Sequence, residues 1–343
     1  MDNKEKILKI LKSKGHVLSA DLVKELKISR QKVAKHLSQL VKMGLLEKEG
    51  STRNAKYSTN KYRNPAPSST DMAIRLLKNI KDLQEDKVYA EVELRLGLKK
   101  FPLNVQNILF YAFGEMLNNA IDHSQAKKAD IHVSKDSRFF KFTIKDSGIG
   151  VFANVQKNFK LENEFQALEH VLKGKQTTFP EQHSGQGIFF TSKIADTFTI
   201  RSHKIEVTNE NLTDDLRVKE IKYLNGTEVS FEISRRSRKI LRDLFHQYAN
   251  EEFEFDRTTV KIKLTAEREL LARSQAKRIL AGLEKYKIVI LDFKSVKEIG
   301  QAFVDEIFRV YHQRTPEVQI QYINANPAVE FMILRCLRTN SKN

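Results

Sequence analysis

A single cysteine, Cys336, and no tryptophan stand among the 343 residues. A lone thiol excludes an intrachain disulfide and a multi-cysteine metal site, and reads most simply as a small core residue in a reducing compartment. No run of about 18 apolar residues occurs, so the sequence offers no membrane-spanning helix. The N-terminal segment is Lys-rich and amphipathic without the apolar stretch of a signal peptide, which points to a cytoplasmic protein. Acidic residues are sparse at the same end. Residues 1–64 hold 16 Lys/Arg against 6 Asp/Glu, so ten of the net +17 charges fall in under a fifth of the chain. An excess of this kind fits a polyanion, nucleic acid ahead of membrane, with solvated surface as the alternative. What is present in quantity is apolar: 40% of residues, 21 of them Phe, enough for sizeable cores. The length exceeds one typical core and predicts two or three domains.

Ile7, Leu8, Ile10 and Leu11 fall at helical spacing and are closed by Gly15. Ser19 reads as the N-cap of a second helix to Leu26. Ser29 caps a third from Arg30 to Met43, with Val33, Leu37, Leu40 and Val41 inward and Gly44 ending it. Two short strands follow, residues 45–49 and 56–58, joined by a loop through Arg53. Three helices and a hairpin resemble a winged helix-turn-helix, and the run from Ser29 to Leu40 is close to that family's recognition helix. The resemblance implies double-stranded DNA as partner. Ser29, Arg30, Gln31, Lys32, Lys35 and His36 would meet phosphates and base edges, and Arg53 and Lys56 on the wing would meet the minor groove or backbone. Protein contact is the competing use of such a domain.

Residues 62–70, rich in Pro and small polar residues, read as a linker. Beyond it, residues 71–83 read as a helix, 88–98 as a strand or hairpin, and 103–124 as a long helix opened by Pro102. On that helix Glu115, Asn119 and Asp122 share one face. An acid able to polarise water, and an amide oxygen able to ligate a divalent cation, suit a nucleotide–Mg²⁺ site, although polar residues recur on helix faces for solubility alone. Strands over 129–134 and 139–145 lead into Asp146-Ser-Gly148-Ile-Gly150. Ser184-Gly185-Gln186-Gly187-Ile188 then opens another helix, and Gly226-Thr227 sits in a later strand.

In this order, Glu115-x-x-x-Asn119, Asp146-x-Gly148-x-Gly150, Gly185-x-Gly187 and Gly226-Thr227 resemble the Bergerat-fold (GHKL) ATPases, which include gyrase-type topoisomerases, histidine kinases and anti-sigma kinases. The resemblance covers roughly residues 100–235. It implies ATP and Mg²⁺ as cofactors. Asp146 would take the adenine amino proton, Gly148 and Gly150 would admit the base, and Thr227 would support the water around it. Asn119 would ligate Mg²⁺, with Asp122 on the same wall. Ser184, Gly185, Gln186, Gly187 and Ile188 would offer groups to the phosphates, and Glu115 would act on the attacking water. Residues 152–183 would form a lid from which Lys175 reaches phosphate, the competing reading being an exposed lid lysine. His183-Ser184 departs from the Gly-Thr or Gly-Ser of many kinases.

Past the basic run 235–239, elements over 258–337 alternate strand and helix three times. The stretch from Val289 to Gly300 followed by a helix resembles the STAS-like domains related to anti-sigma antagonists. Gln301 stands where antagonists carry a phosphorylatable Ser, so that activity is not carried over. The expected plan is multidomain α/β: a winged helix over 1–62, linker 63–70, ATP-binding α/β sandwich 71–235, connector 236–255 and a small STAS-like domain 256–343. The function this implies is a DNA-binding transcriptional regulator modulated by Mg-ATP, working as a homodimer, with a protein partner at the STAS-like domain and no membrane. The alternatives are a serine/threonine or histidine-type protein kinase acting on a separate partner, and an ATP-hydrolysing clamp.

Overall fold

The computed structural model describes residues 3–42, 46–50, 55–59, 71–174, 186–249, 255–262 and 270–340. The chain divides into two compact units, Met1–Gly150 with Thr191–Leu241, and Val151–Phe190 with Arg242–Asn343.

In the first unit, α1 (Asn3–Lys14), α2 (Ser19–Leu26) and α3 (Arg30–Lys42) surround a core of Ile7, Leu11, Leu22, Val33, Leu37 and Leu40. Gly15, at φ +73, ends α1 by donating its N–H to the Leu11 carbonyl at 2.8 Å. Ser29 caps α3 as expected, its hydroxyl accepting the Lys32 N–H at 3.3 Å. Ser19 does not cap α2. The cap is Leu18, whose N–H is taken by the Asp21 carboxylate at 3.3 Å. The expected hairpin is present as β2 (Leu46–Glu49) and β3 (Lys56–Thr59), and the sequence reading missed β1 (His16–Leu18), which completes a sheet of order β1-β3-β2.

Five antiparallel strands make the central sheet, in the order β4-β5-β6-β8-β7: β4 (Met72–Asn79), β5 (Lys128–Lys135), β6 (Phe139–Asp146), β7 (Thr197–Glu210) and β8 (Asp215–Ser234). Two elements reverse the expectation. Residues 71–83 hold the strand β4, paired along eight residues with β5, because partner strands override a weak local preference. Residues 88–98 hold most of a helix, α4 (Glu85–Leu96). Its apparent alternation was accidental: Val88, Tyr89, Val92 and Leu96 are buried at helical spacing, while Leu94 is 83% exposed. The long helix α5 (Leu103–His123) matches its predicted limits and buries Ile108, Ala112, Phe113 and Met116. Phe113 meets Phe142 edge-on at 5.4 Å, and Phe142 stacks on Phe231 at 5.0 Å. Each such ring contributes roughly 1.5–3 kcal/mol of burial free energy, and together they hold α5 to β6 and β8.

The β7–β8 ribbon is longer than the sheet and folds back on itself. Pairing slips at Ser202, His203 and Ile205, with His203 at φ +50. Beyond the slip β7 retraces its path: the Thr199 and Thr208 hydroxyls lie 3.1 Å apart, and Arg201 donates to Glu206 at 2.5 Å.

In the second unit, β9 (Arg257–Lys261), β10 (Ile288–Asp292) and β11 (Gln319–Ile323) form a parallel sheet of order β11-β10-β9. Parallel neighbours need long crossover connections, usually helices. They are α10 (Arg273–Leu280), then α11 (Gln301–Asp305) running through a π-helical turn (Glu306–Tyr311) into α12 (His312–Arg314), and last α13 (Pro327–Asn340). This is the predicted alternation of strand and helix. The same unit holds α6 (Val151–Asn158), α7 (Glu164–Lys173), the first turn of α8 (Gly187–Ile194) and most of α9 (Leu241–Tyr248). A buried lysine ties α7 to the small sheet. Lys173 Nζ donates to the carbonyls of Ala281 (2.9 Å) and Arg278 (3.4 Å) at the end of α10, while its own carbonyl accepts the hydroxyls of Thr258 (2.6 Å) and Tyr286 (2.8 Å). Burial pushes the ammonium down to about 8.

Candidate nucleotide site and nucleic-acid interface

On α5, Glu115 and Asn119 are half-buried and Asp122 is exposed, in line along one face. Tyr111, one turn before Glu115, has its phenol pushed up, first by burial and then by the Glu115 charge. The Asn119 side-chain nitrogen is buried and has no hydrogen-bond partner among the described residues. A buried amide N–H left so costs about 1–3 kcal/mol, which a hydrogen-bond acceptor at this point would recover.

Asp146 ends β6 and is 5% exposed. Its Oδ1 accepts the Gly148 N–H at 2.9 Å and the Thr227 N–H at 3.3 Å, and no described donor reaches Oδ2. Burial raises the carboxyl pKa, and these two N–H groups partly offset the rise. Three glycines let the backbone close around this acid. A Cβ on Gly148 would sit 1.8 Å from the Ser124 carbonyl oxygen. At Gly226, φ +82, it would lie 2.3 Å from the Asp146 carbonyl oxygen, and at Gly150, φ +79, 2.6 Å from Ser202 Oγ. The loop is further pinned by Ile149 N–H to the Ser124 carbonyl (2.9 Å), Asn225 Nδ2 to the Ser147 carbonyl (3.2 Å) and Ser202 Oγ to the Gly226 carbonyl (2.9 Å). The structure therefore gathers Asp146, Gly148, Gly150 and Thr227 into one cradle. Ser124 and Ser202 belong to that cradle and escaped the sequence reading, since isolated serines carry no spacing signal.

The remaining candidates belong to other elements. Gln186, Gly187 and Ile188 lie at the start of α8, in the second unit. Lys175, Ser184 and Gly185 fall outside the described residues, as does Arg53 on the wing. On α3, Arg30, Gln31, Lys32 and Lys35 are exposed together, preceded by exposed Ser29, while His36 is half-buried and Lys56 on β3 is exposed. A helix presenting donors and an amide on its free face suits a DNA groove and its phosphates.

Comparison with known families assigns a class to each part. Residues 2–47 match the winged helix-turn-helix DNA-binding family, residues 99–210 the histidine kinase-like ATPase domain, and residues 275–330 a STAS-like domain of unknown function. The chain is thus a multidomain α/β protein joining a DNA-binding winged helix to a histidine kinase-like ATPase domain and a STAS-like domain. No curated protein matches it. No helix among the described residues is long and apolar enough to cross a membrane.

Proposed function

We propose that this chain is a transcriptional regulator whose winged helix binds double-stranded DNA under the control of Mg-ATP held by the ATPase domain. The observation that carries the reading is the Asp146 cradle: a buried acid with one oxygen fixed by two backbone N–H groups, the other free to accept, and three glycines where a Cβ would collide. An acceptor oriented this way suits the exocyclic amino group of adenine. The Asn119 amide oxygen would serve as metal ligand, leaving its unpartnered Nδ2 to donate to a nearby acceptor such as a phosphate oxygen, and bound Mg²⁺ would supply charge neutralisation for the phosphates. Asp122 completes the polar wall of α5, and Thr227 keeps the Asp146 carboxylate in register through its N–H. Gln186, Gly187 and Ile188 at the helix start, with Ser184 and Gly185 before them, are proposed as phosphate donors and Lys175 as a lid contact. Glu115 would orient a water and take its proton if slow hydrolysis accompanies binding. A two-fold dimer would place two α3 helices on an inverted repeat, and the STAS-like domain would serve a protein partner.

The decisive substitution is Asp146→Asn, which turns one acceptor into a donor at nearly constant volume. ATP affinity should fall at least tenfold, the weight of one buried hydrogen bond turned repulsive. Unchanged affinity in a titration of the purified chain would remove the site assignment. DNA affinity measured with and without Mg-ATP tests the control, and identical values would remove it.

A further inference from the structure

One stretch of the β7–β8 ribbon, from Ser202 to Thr213, meets the glycine cradle, α8 and the winged helix in turn. At the fold-back, Ser202 and His203 lie against Gly150, where an added Cβ would be 2.6 Å from Ser202 Oγ and 2.7 Å from His203 Nε2. At the ribbon tip, Asn211 Nδ2 donates to the carbonyls of Ser192 (2.6 Å) and Ala195 (2.9 Å), and Asn209 Nδ2 also donates to Ser192 (3.0 Å). The Asn211 N–H donates to the Asp196 carbonyl at 3.1 Å. These bonds grip the end of α8, the helix opened by Gly187. The next residue, Leu212, packs against the winged-helix core of Ile7, Leu11, Val33 and Leu37. Glu210 and Thr213 beside it are buried, so the tip is a fitted contact rather than a free loop end.

We propose that the ribbon tip, residues 209–213, is the coupling element through which nucleotide occupancy reaches the DNA-binding domain. The proposal rests on the Mg-ATP and DNA reading above and names its structural carrier. Asn211 reads the position of α8, and the adjoining peptide bond hands any displacement to Leu212. Close-packed cores do not deform continuously, so a shift at Leu212 re-sets the helices that flank α3 instead of being absorbed. The effect exists to the extent that nucleotide favours one position of α8 and of the glycine loop.

The test uses the full chain, Mg-ATP and a duplex selected by that chain from a random-sequence library. Three values are measured for wild type, Asn211→Ala and Leu212→Ala: the Kd for Mg-ATP, the Kd for DNA alone, and the ratio of DNA Kd without and with Mg-ATP. Wild type should show a ratio of about fivefold or more in either direction, the lower range of allosteric coupling. Both variants should keep the two separate affinities within about twofold while the ratio collapses towards one. A wild-type ratio that persists in Asn211→Ala refutes the coupling element and leaves the regulatory reading standing. A wild type that binds both ligands with a ratio of one refutes the regulatory reading, and the coupling element falls with it. Should Leu212→Ala lose DNA binding through damage to the winged-helix core, Asn211→Ala, which lies outside that core, decides alone.

Discussion

Gly148→Ala should dismantle the cradle, and the size of the effect follows from the geometry. The new methyl would lie 1.8 Å from the Ser124 carbonyl oxygen and 2.6 Å from its carbon, against a floor of 3.0 Å for real Cβ contacts. Both neighbours are backbone, so the loop and the end of α5 must separate by roughly 1.2 Å. That opening breaks two hydrogen bonds, Ile149 N–H to the Ser124 carbonyl and Gly148 N–H to Asp146 Oδ1, each 2.9 Å long. A neutral bond contributes about 1 kcal/mol and one to a carboxylate about 1.5–3 kcal/mol, so the loss is about 2.5–4 kcal/mol. For a unit of this size, 1 kcal/mol moves Tm by roughly 2–4 °C. Gly114→Ala provides the contrast, because in the interior of α5 its methyl would meet nothing closer than Glu85 Cγ at 3.9 Å. That change should raise stability by about 0.5–1 kcal/mol through helix propensity. Differential scanning fluorimetry of both variants, with and without Mg-ATP, reads the result. Gly148→Ala should melt well below wild type and lose most of its ATP-induced rise in Tm. If it melts with wild type, Ser124 does not back the loop and the cradle has been misread.

Three further predictions concern charge. Because burial raises the Asp146 pKa, the folded state holds this proton more tightly than the unfolded chain. Its contribution to stability should therefore fall as pH rises from 3.8 through the raised value, while ATP affinity, which needs the ionised acceptor, should fall as pH drops through the same window. Calorimetry against pH should show both trends in wild type, and Asp146→Asn should lack both. Lys173, with its pKa lowered from 10.5 to about 8, works in the opposite sense: wild type should gain stability between those two values, on the order of 3 kcal/mol at most. Urea melts of Lys173→Met should lack that gain, and parallel curves would refute the burial. On the DNA side, Lys35→Ala should lower the slope of log K against log salt by about 0.9 and weaken binding evenly across sequences, as a phosphate contact does. An unchanged slope would take Lys35 out of the interface.

How much of this was legible depends on how local the cause is. Caps and periodic faces are local, so α3, α5 and the alternation of the STAS-like domain could be read directly, and so could Asp146-x-Gly148-x-Gly150. The glycines carried the site because a missing side chain is needed wherever backbone meets backbone, as at Ser124 and Asp146. Non-local causes were hidden. Residues 72–79 are a strand only because β5 lies beside them, and the alternating apolar residues of α4 concealed a helix. Nothing in the sequence marks Ser202 as a wall of the cradle, or Leu212 as a residue packed against the winged-helix core, since both roles depend on a ribbon that turns back at His203.

The anchoring of Lys173 bears on how such a chain can be assembled and taken apart. Two hydroxyls and the end of a helix from residues 258–286 are satisfied by one residue lying 85 to 113 positions upstream, in a segment that the histidine kinase-like match includes. A fragment beginning near residue 256 would leave those groups facing solvent, and a fragment ending near residue 241 would bare the buried side of α7 with its lysine. The modules are therefore not interchangeable beads. Recombination that swapped the C-terminal domain would have to replace residues 151–174 as well, so the two regions should be inherited, trimmed and engineered as one piece.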